Sequence, residues 1–218
     1  MFKARLTPSV SARLEAVSTI RHNIKMKHAL FPLNTVIFPG SVLPLKIFEQ
    51  RYLKLIKDCM KQQHGFVTVL ISEGREVGAT PQIYRTGCYV EIIDWEPLEN
   101  GLLGISVQAK HRVSLSHSSV RDDGLLLAEA TPIESTLDDN PTMPEVFKPL
   151  ADTLKELLEH PFAERYKGKV DFNNAADICY RLSELLPISN KQKQLLLETE
   201  TSEQMLDQLA LHINALQT

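Results

Sequence analysis

The sequence lacks the short signatures that identify most nucleotide-dependent and metal-dependent enzymes. A phosphate-binding loop needs G-x-x-x-x-G-K-[ST], and the Gly168-Lys169 pair has no glycine at the required place before it. The sequence has no G-x-G-x-x-G motif, which would indicate dinucleotide binding, and no H-E-x-x-H motif, which would indicate a metal site. It also has no G-x-S-x-G motif, which would frame a serine nucleophile. We therefore expect neither a cofactor nor a metal ion.

Cysteine is scarce, and long apolar runs are absent. The three cysteines, Cys59, Cys88 and Cys179, form no C-x-x-C pair, and their odd number leaves any disulfide scheme incomplete. We predict that they are buried thiols in a reducing compartment. No run approaches the roughly 18–20 apolar residues that a membrane span needs. These absences predict a cytoplasmic protein that does not enter a membrane.

A positive net charge is confined to the N-terminal segment, since acidic residues outnumber basic ones over the rest of the chain. The formal net charge of the 218 residues is -3, yet residues 1–28 hold six basic residues against Glu15 and carry +5. The remaining -8 argues against nucleic-acid binding, although a local basic patch is conceivable at Lys46, Lys54, Lys57 and Lys61. Residues 1–28 are interpreted as a basic N-terminal extension. The alternative is a transit-like presequence or an arm for an anionic surface.

Residues 29–133 have the alternating pattern of β-strands, interrupted by one helix. The predicted strands are HALFPLNTVIF, VLPLKIF, FVTVLIS, CYVEIIDWEPL, LLGISVQAKHRVSLS and GLLLAEATPI. Pro39-Gly40 predicts a type II turn after the first strand, and Asn100-Gly101 predicts a hairpin between the fourth and fifth. Helical spacing of apolar residues predicts an amphipathic helix from residue 49 to 63. This composition is typical of a small barrel or sandwich.

The fourth and fifth predicted strands carry three features of interest. The side chains expected on one buried face of the fifth strand are Ile105, Val107, Ala109, Val113 and Leu115. Arg112 interrupts that strand, and because a charge near a core needs a partner, we predict that it pairs with Glu49 or Glu91. Trp95 lies near the end of the fourth predicted strand, just before Glu96-Pro97. Packing in the core or at its rim is the favoured interpretation, and an exposed aromatic anchor is the alternative.

Composition changes at residues 134–145, which are interpreted as a linker. Helices are predicted beyond it over residues 147–158, 175–186, 189–198 and 201–216. Ser189 and Thr201 each open a capping-box pattern at the start of the last two helices. Four helices with short connections predict a compact bundle within residues 146–218. The predicted fold class is therefore α+β, with a β-rich subdomain followed by a helical one.

Four segments occur in a recognisable order: PLNTVIFPGSVLPLKIFEQRY, RTGCYVEIIDW, GISVQAKHRVSL and DICYRLSELLPISNKQKQLLLETETSEQMLDQLALHI. They resemble the Lon protease amino-terminal domain family, whose opening reads P-L-x-x-x-V-x-F-P-G-x-x-L-P-L. The resemblance covers residues 28–218. The I-F-E-x-R-Y form at residues 47–52 is similar to free-standing bacterial members. Ala109 departs from the pattern, because the family usually has a glycine there, at the place of a bulge.

The resemblance implies a PUA-like β pseudo-barrel with one packed helix, followed by a helical bundle. It assigns structural roles, and a candidate interaction surface, to the family-motif residues. These are Pro32, Leu33, Phe38, Pro39, Gly40, Pro44, Leu45, Glu49, Arg51, Tyr52, Gly87 and Arg112. Pro32 and Pro44 are predicted to mark strand starts or edge positions. Prolines at a sheet edge also favour selective side-chain contacts over indiscriminate strand pairing.

The resemblance also implies a function, which is recognition of unfolded or apolar polypeptide segments, or of a partner protein, linked to proteolysis. In full-length Lon the ATPase and Ser–Lys peptidase domains follow this region. The sequence has no Walker motif and ends at Thr218, so we expect a module that is not an enzyme. The alternatives are a small-molecule binder or enzyme with a site between the two lobes, and an RNA-binding PUA-like domain. Neither the substrate nor the oligomeric state is indicated.

Overall fold

The computed structural model describes residues 27–99, 102–133, 145 and 148–216. Its six strands are β1 (Lys27–Leu33), β2 (Val42–Ile47), β3 (Phe66–Glu73), β4 (Gln82–Pro97), β5 (Leu103–Val120) and β6 (Leu126–Pro132). They form one sheet in the order β2-β5-β4-β3-β1-β6, in which only the β1–β3 pairing is parallel. The long strand β5 also pairs with β6. The sheet therefore curls into the expected pseudo-barrel.

The helices are α1 (Gln50–Gln62), α2 (Lys148–Leu158), α3 (Ala175–Leu185), α4 (Asn190–Leu197) and α5 (Ser202–Leu216), with a 3-10 segment at Pro161–Tyr166. The helix α1 buries Leu55, Ile56 and Cys59, whose spacing gives it one apolar stripe. Both predicted N-caps are confirmed. The Ser189 side chain closes a capping box with Gln192, and the Thr201 hydroxyl accepts the backbone N–H of Gln204 at 3.2 Å. The predicted α+β fold class is thus confirmed.

The first strand is shorter than predicted, because it ends at Leu33 instead of continuing to Phe38. Side chains satisfy the backbone of Asn34: its N–H donates to Glu76 Oε1 at 2.5 Å, and its carbonyl accepts a hydrogen bond from Asn190. The following apolar residues are buried without forming a strand. The predicted turn is confirmed, since Gly40 has φ +80° and Ser41 N donates to Phe38 O at 3.0 Å.

A bulge divides the inward face of β5. Val90 pairs with Ala109 and Tyr89 with His111, so Lys110 is the extra residue. The side chains before the bulge enter the main core, whereas Val113 and Leu115 enter a second, smaller core beneath β1, β3 and β6. The prediction that all five apolar residues share one face is therefore wrong. The bulge of the family pattern is present although alanine replaces glycine.

The main core joins the pseudo-barrel to the helices. One hydrophobic cluster includes Phe31 and Phe38 before β2, Ile56 of α1, and Ile178 and Leu209 of the C-terminal helices. The predicted hairpin strands pair as expected, with Pro97 opposite Leu103, while its turn at residues 100–101 lies outside the described residues. Most of the predicted linker and residues 1–26 lie outside them as well.

Arg112 connects β5 to the end of α4. Its Nη1 donates to the carbonyls of Leu197 at 2.9 Å and Thr199 at 2.6 Å, and the side chain is buried. The last carbonyls of a helix have no intrahelical partner and carry the negative end of the helix dipole. The helix end therefore takes the place of the carboxylate that the sequence predicted.

The predicted carboxylate partners of Arg112 are engaged elsewhere, so that prediction is wrong. Glu49 Oε2 lies 2.8 Å from Arg51 Nη2, and Glu91 Oε2 lies 3.2 Å from Lys110 Nζ. Lys110 is the bulge residue of β5, which projects to the solvent side and reaches Glu91 on β4.

The Pro39–Ser41 turn docks on α3 through a second polar contact between the sheet and the bundle. Arg181 Nη2 donates to Pro39 O at 2.5 Å, and Ser41 Oγ donates to Glu184 Oε2 at 2.6 Å. Arg181 Nη1 also bonds Glu184 Oε2 at 3.0 Å, and the Tyr166 hydroxyl donates to the other oxygen of that carboxylate. The turn therefore fixes how the helices sit on the sheet.

Replacing Arg112 by alanine should lower the free energy of unfolding by about 3 kcal/mol, because two carbonyls at the end of α4 lose their donor. The exposed Arg75→Ala variant is the matched control, for which we expect less than about 0.5 kcal/mol. Urea denaturation followed by circular dichroism measures both. Equal stability of the two variants would contradict the proposed connection.

The three cysteines should react slowly with a thiol reagent in the folded protein, because burial raises the pKa of Cys59, Cys88 and Cys179 to about 12 each. An unfolded thiol loses its proton at lower pH. The stabilising contribution is therefore complete below about pH 9 and decreases as the pH rises towards about 12. Labelling at neutral pH with and without denaturant measures the reactivity. Rapid modification of any one thiol without denaturant would be the contrary result.

Candidate functional site

The strand β2 is an edge strand, and Pro44 modifies its open edge. β2 pairs with β5 from Val42 opposite Gln108 to Ile47 opposite Leu103, and the described residues place no strand on its other side. The sequence predicted an edge or strand-start position for this proline. The edge position of Pro44 is confirmed.

The pairing pattern shows which backbone groups face the open edge. Ala109 N donates to Ser41 O at 2.9 Å, so the hydrogen-bonded positions of the β2–β5 ladder are every second residue from Ser41. The backbone groups of Val42, Pro44 and Lys46 then point away from β5. Because proline has no N–H, Pro44 leaves the ladder intact and removes the middle donor of the open edge.

A cleft of about 250 Å³ lies beside this edge, between β1, β2, the start of α1 and the loop after β3. We call it the β2 cleft. Its lining residues are Phe31, Pro32, Leu33, Pro44, Leu45, Lys46, Ile47, Phe48, Glu49, Tyr52, Glu76 and Val77. Six of the twelve family-motif residues belong to it: Pro32, Leu33, Pro44, Leu45, Glu49 and Tyr52.

The β2 cleft has a packed aromatic floor and an exposed apolar rim. Phe31 and Tyr52 pack with ring centroids 4.2 Å apart, and burial raises the pKa of the Tyr52 phenol despite the opposing charge of Arg51. Phe48 is 50% exposed, and Val77 on the facing loop is also exposed. Large apolar side chains that stay exposed around a concave surface are typical of interaction sites.

Arg51 holds the wall of the cleft in place. Its guanidinium bonds Glu49 Oε2 at 2.8 Å, the carbonyl of Gly124 at 3.1 Å and the carbonyl of Gly78 at 3.4 Å. It also lies over the Tyr52 ring, with its central carbon 4.9 Å from the ring centroid. Arg51 thereby ties the start of α1 to the loop that carries Val77.

The other motif residues lie away from the cleft. Phe38, Pro39 and Gly40 belong to the turn that docks on α3, and Arg112 bonds the end of α4. Gly87 has a packing reason to be glycine, because a Cβ there would lie 2.3 Å from the carbonyl oxygen of Thr68 on β3. The motif therefore divides into a cleft and the scaffold that supports it.

Three residues that the motif did not include are prominent in the structure. Phe48 and Val77 form the rim of the β2 cleft, and Trp95 is 54% exposed, so the favoured prediction of a packed Trp95 is wrong. Parity offered a signal for Phe48, since Leu43, Leu45 and Ile47 are the more buried row of β2, and Phe48 follows on the other parity. Val77 lies in an irregular loop, where periodicity gives no information.

The residues considered for a metal site and for a basic patch lie apart in the structure. His111 stacks on Tyr89 with ring centroids 5.2 Å apart, whereas His117 bonds Glu129 at 3.2 Å. Within the described residues no group of three or more His, Cys, Asp or Glu side chains is placed to hold a metal ion. Lys46 lies on β2, while three exposed lysines lie along α1, namely Lys54, Lys57 and Lys61. No described helix is long and apolar enough to cross a membrane.

Comparison with known proteins identifies the family. The family described as the ATP-dependent protease La (LON) substrate-binding domain matches residues 27–215. The chain belongs to this family. The resemblance to this family is therefore confirmed for all but the first 26 and last three residues of the chain.

Solved structures of Lon amino-terminal domains support the fold. The chain is 30% identical to the Lon N-terminal domain protein from Xanthomonas campestris, with a TM-score of 0.71, covering 85% of this chain and 98% of that one. It is 17% identical to the N-terminal domain of Mycobacterium avium complex Lon protease, with a TM-score of 0.58 and coverage of 86% and 97%. The second likeness concerns the fold alone.

A full-length relative shows how much of a Lon protease the match includes. The chain is 28% identical over 130 residues to a Lon protease from Parabacteroides distasonis, which is 59% of this chain. The match spans 15% of the length of that Lon protease.

Replacing Pro44 by valine should promote self-association, because it adds an N–H between the outward donors of Val42 and Lys46 and completes a pairing edge. Sedimentation velocity at about 100 μM protein, a weak-affinity scale, measures the change. The Val42→Thr variant keeps the edge donors unchanged and is the matched control. A Pro44→Val protein that sediments like the parent would show that the proline does not protect the edge.

Proposed function

We propose that the chain is a non-catalytic recognition module that binds unfolded polypeptide segments through bulky apolar side chains held in the β2 cleft. The observation that carries the proposal is the position of the family motif, half of which lines one cleft with an aromatic floor and an apolar rim at an open sheet edge. The family itself is described by substrate binding. A bound segment would supply the apolar contacts that Phe48 and Val77 lack.

The size of the cleft supports a side chain as its occupant. About 250 Å³ is below the roughly 300–1,000 Å³ of typical small-molecule pockets. The space between the sheet and the bundle is occupied by side chains such as Arg112 and Arg181, which supports the cleft over a site between the lobes. At the β2 cleft, a polypeptide side chain therefore fits the geometry better than a small-molecule ligand.

The edge chemistry supports selective binding by side chains. An added strand gains affinity from a regular row of backbone hydrogen bonds, and Pro44 interrupts that row. A segment at β2 must then depend on contacts in the cleft, which suits recognition of exposed apolar residues in many sequences. The Parabacteroides relative is a Lon protease, so we propose that bound segments are destined for proteolysis. Three free buried cysteines support a cytoplasmic location.

The Phe48→Ser variant should bind a permanently unfolded protein about fivefold more weakly than the parent. The reason is that the variant lacks the exposed half of the Phe48 side chain, which the ligand would otherwise bury. The ligand is a reduced and alkylated protein labelled for fluorescence anisotropy. Phe162→Ser is the matched control, because Phe162 is 58% exposed on the 3-10 segment of the bundle. In sequence, Phe162 is far from the residues that line the cleft. We expect the control to bind like the parent.

Two results would contradict the proposal. The first is a parent protein that shows no binding at about 100 μM ligand, where even weak recognition should be measurable. The second is an equal loss of affinity in the Phe48→Ser and Phe162→Ser variants, which would indicate nonspecific apolar contact. The native, folded form of the same ligand protein should bind less well than its unfolded form.

A further inference from the structure

A second cavity, of about 560 Å³, lies where β4 and β5 separate. The pairing of the two strands ends at Thr86 opposite Ser114. On the far side of this pair, β4 stays paired with β3 at Ile83, whereas β5 stays paired with β6 from Leu115. We call the cavity between them the β4–β5 gap. It shares no lining residue with the β2 cleft and is therefore a separate candidate site.

Irregular pairing keeps the two strands apart. On β4, three residues between Ile83 and Gly87 lie opposite a single residue of β3. On β5, two residues between Ser116 and Ser119 lie opposite one residue of β6, and one of the two, His117, has φ +49°. Bulges of this kind bend a strand and increase its local twist. The gap is therefore built into the ladders on both of its sides.

The floor of the β4–β5 gap is apolar. Leu115 and Leu126 line the gap and are buried in the second, smaller core, and Ile83 packs against that core from β4. The gap therefore opens onto one end of the second core. An apolar side chain that entered it would extend that core and lose its contact with water.

Arg85 supplies the charge of the gap. This exposed residue lines the cavity next to the last β4–β5 pair, and within the described part of the chain its side chain forms no hydrogen bond or ion pair. The lining contains no Asp or Glu, and its one other basic residue, His117, bonds Glu129 at 3.2 Å. A single uncompensated guanidinium matches a single negative charge, and it binds a carboxylate through two parallel hydrogen bonds.

Both sides of the gap are open strand edges. Among the described residues, no strand pairs across the gap with residues 82–85 of β4 or with residues 115–118 of β5. Open edges of this kind accept an added strand through backbone hydrogen bonds. At Thr86 and Ser114, however, β4 and β5 pair with each other, so an added strand must end there. Its end would lie beside Arg85.

We propose that the β4–β5 gap binds the C-terminal end of a polypeptide, with the terminal carboxylate on Arg85 and the last apolar side chain on Leu115 and Leu126. A chain that ends beside Arg85 presents an ammonium or a carboxylate group, and the guanidinium repels the first and binds the second. A free carboxylic acid shares the carboxylate but lacks peptide groups for the two strand edges. Because the gap lies apart from the β2 cleft, this inference goes beyond the proposed function and does not depend on it.

The probes are peptides of about eight residues, made of glycine and serine with leucine at the C-terminus and a fluorophore at the N-terminus. One peptide ends in a free carboxylate and the other in an amide. Fluorescence anisotropy should show that the free-acid peptide binds the parent protein about tenfold more tightly than the amide. The difference should shrink between about 50 mM and about 500 mM salt. A free-acid peptide that ends in glycine should bind about fivefold more weakly than the leucine peptide, because it has no side chain for the apolar floor.

Variants assign the preference to the gap. The Arg85→Gln protein should bind the free-acid peptide only as tightly as the parent binds the amide, with amide binding unchanged. Arg75→Gln is the matched control, because Arg75 is exposed and does not line the gap. Phe48→Ser, which alters the β2 cleft, should also keep the parental preference.

A single exposed thiol locates the site without a change of charge. Ser118 is exposed and lines the gap, whereas the three native cysteines are buried. The Ser118→Cys protein should bind the free-acid peptide like the parent. After modification with a bulky maleimide it should no longer bind, because the reagent fills the space of the added strand.

Three results would overturn the inference. The first is equal binding of the free-acid and amide peptides by the parent, and the second is an acid preference that persists in the Arg85→Gln protein. The third is calorimetry in which octanoate binds the parent although neither peptide does, which would assign the gap to free carboxylic acids. All three leave the β2 cleft untouched, since recognition there is tested with an unfolded protein and the Phe48→Ser variant.

Discussion

The buried guanidinium of Arg112 is the contact on which the arrangement of the two lobes depends. Arg112 lies on β5 just beyond the bulge, and its guanidinium donates hydrogen bonds to the carbonyls at the end of α4. Without the bulge at Lys110, Arg112 would lie on the opposite face of the sheet and its charge would have no such partner. The Pro39–Ser41 turn adds a second polar contact through Arg181. Together these contacts hold the helices against the back of the sheet and leave the β2 side open.

Much of the fold was predictable because it depends on local patterns. Alternation of apolar residues indicated the strands, and the capping side chain of Ser189 and the Pro39-Gly40 turn were evident from their spacing. The partner of Arg112 was not, because α4 lies more than eighty residues away in sequence and offers backbone carbonyls, which every residue has. A bulge also reverses the face on which the following side chains lie, and the hydrophobic pattern of the residues before it gives no sign of this change. The parity of β5 was therefore right up to Ala109 and wrong beyond it.

The candidate site was predictable only in part, and for a physical reason. Half of the motif residues line the β2 cleft, but others, such as Gly87, serve strand packing, and sequence alone does not separate the two roles. Phe48 and Trp95 are apolar residues that any composition argument assigns to the core. Their exposure follows from where β2 ends and where β4 bulges. The edge strand interrupted by Pro44 and the β2 cleft beside it then form the surface that we propose for side-chain recognition.

Hydrogen exchange of the protein with and without a saturating unfolded polypeptide tests the central claim most directly, since it locates the binding surface without any substitution. We expect slower exchange for backbone amides of residues 42–48, which comprise the edge strand β2 and Phe48, and of Glu76 and Val77, which line the β2 cleft. Amides of α2, α3, α4 and α5 should exchange at the same rate in both samples. Slower exchange confined to those four helices, with residues 42–48 unchanged, would contradict the account and place recognition on the bundle.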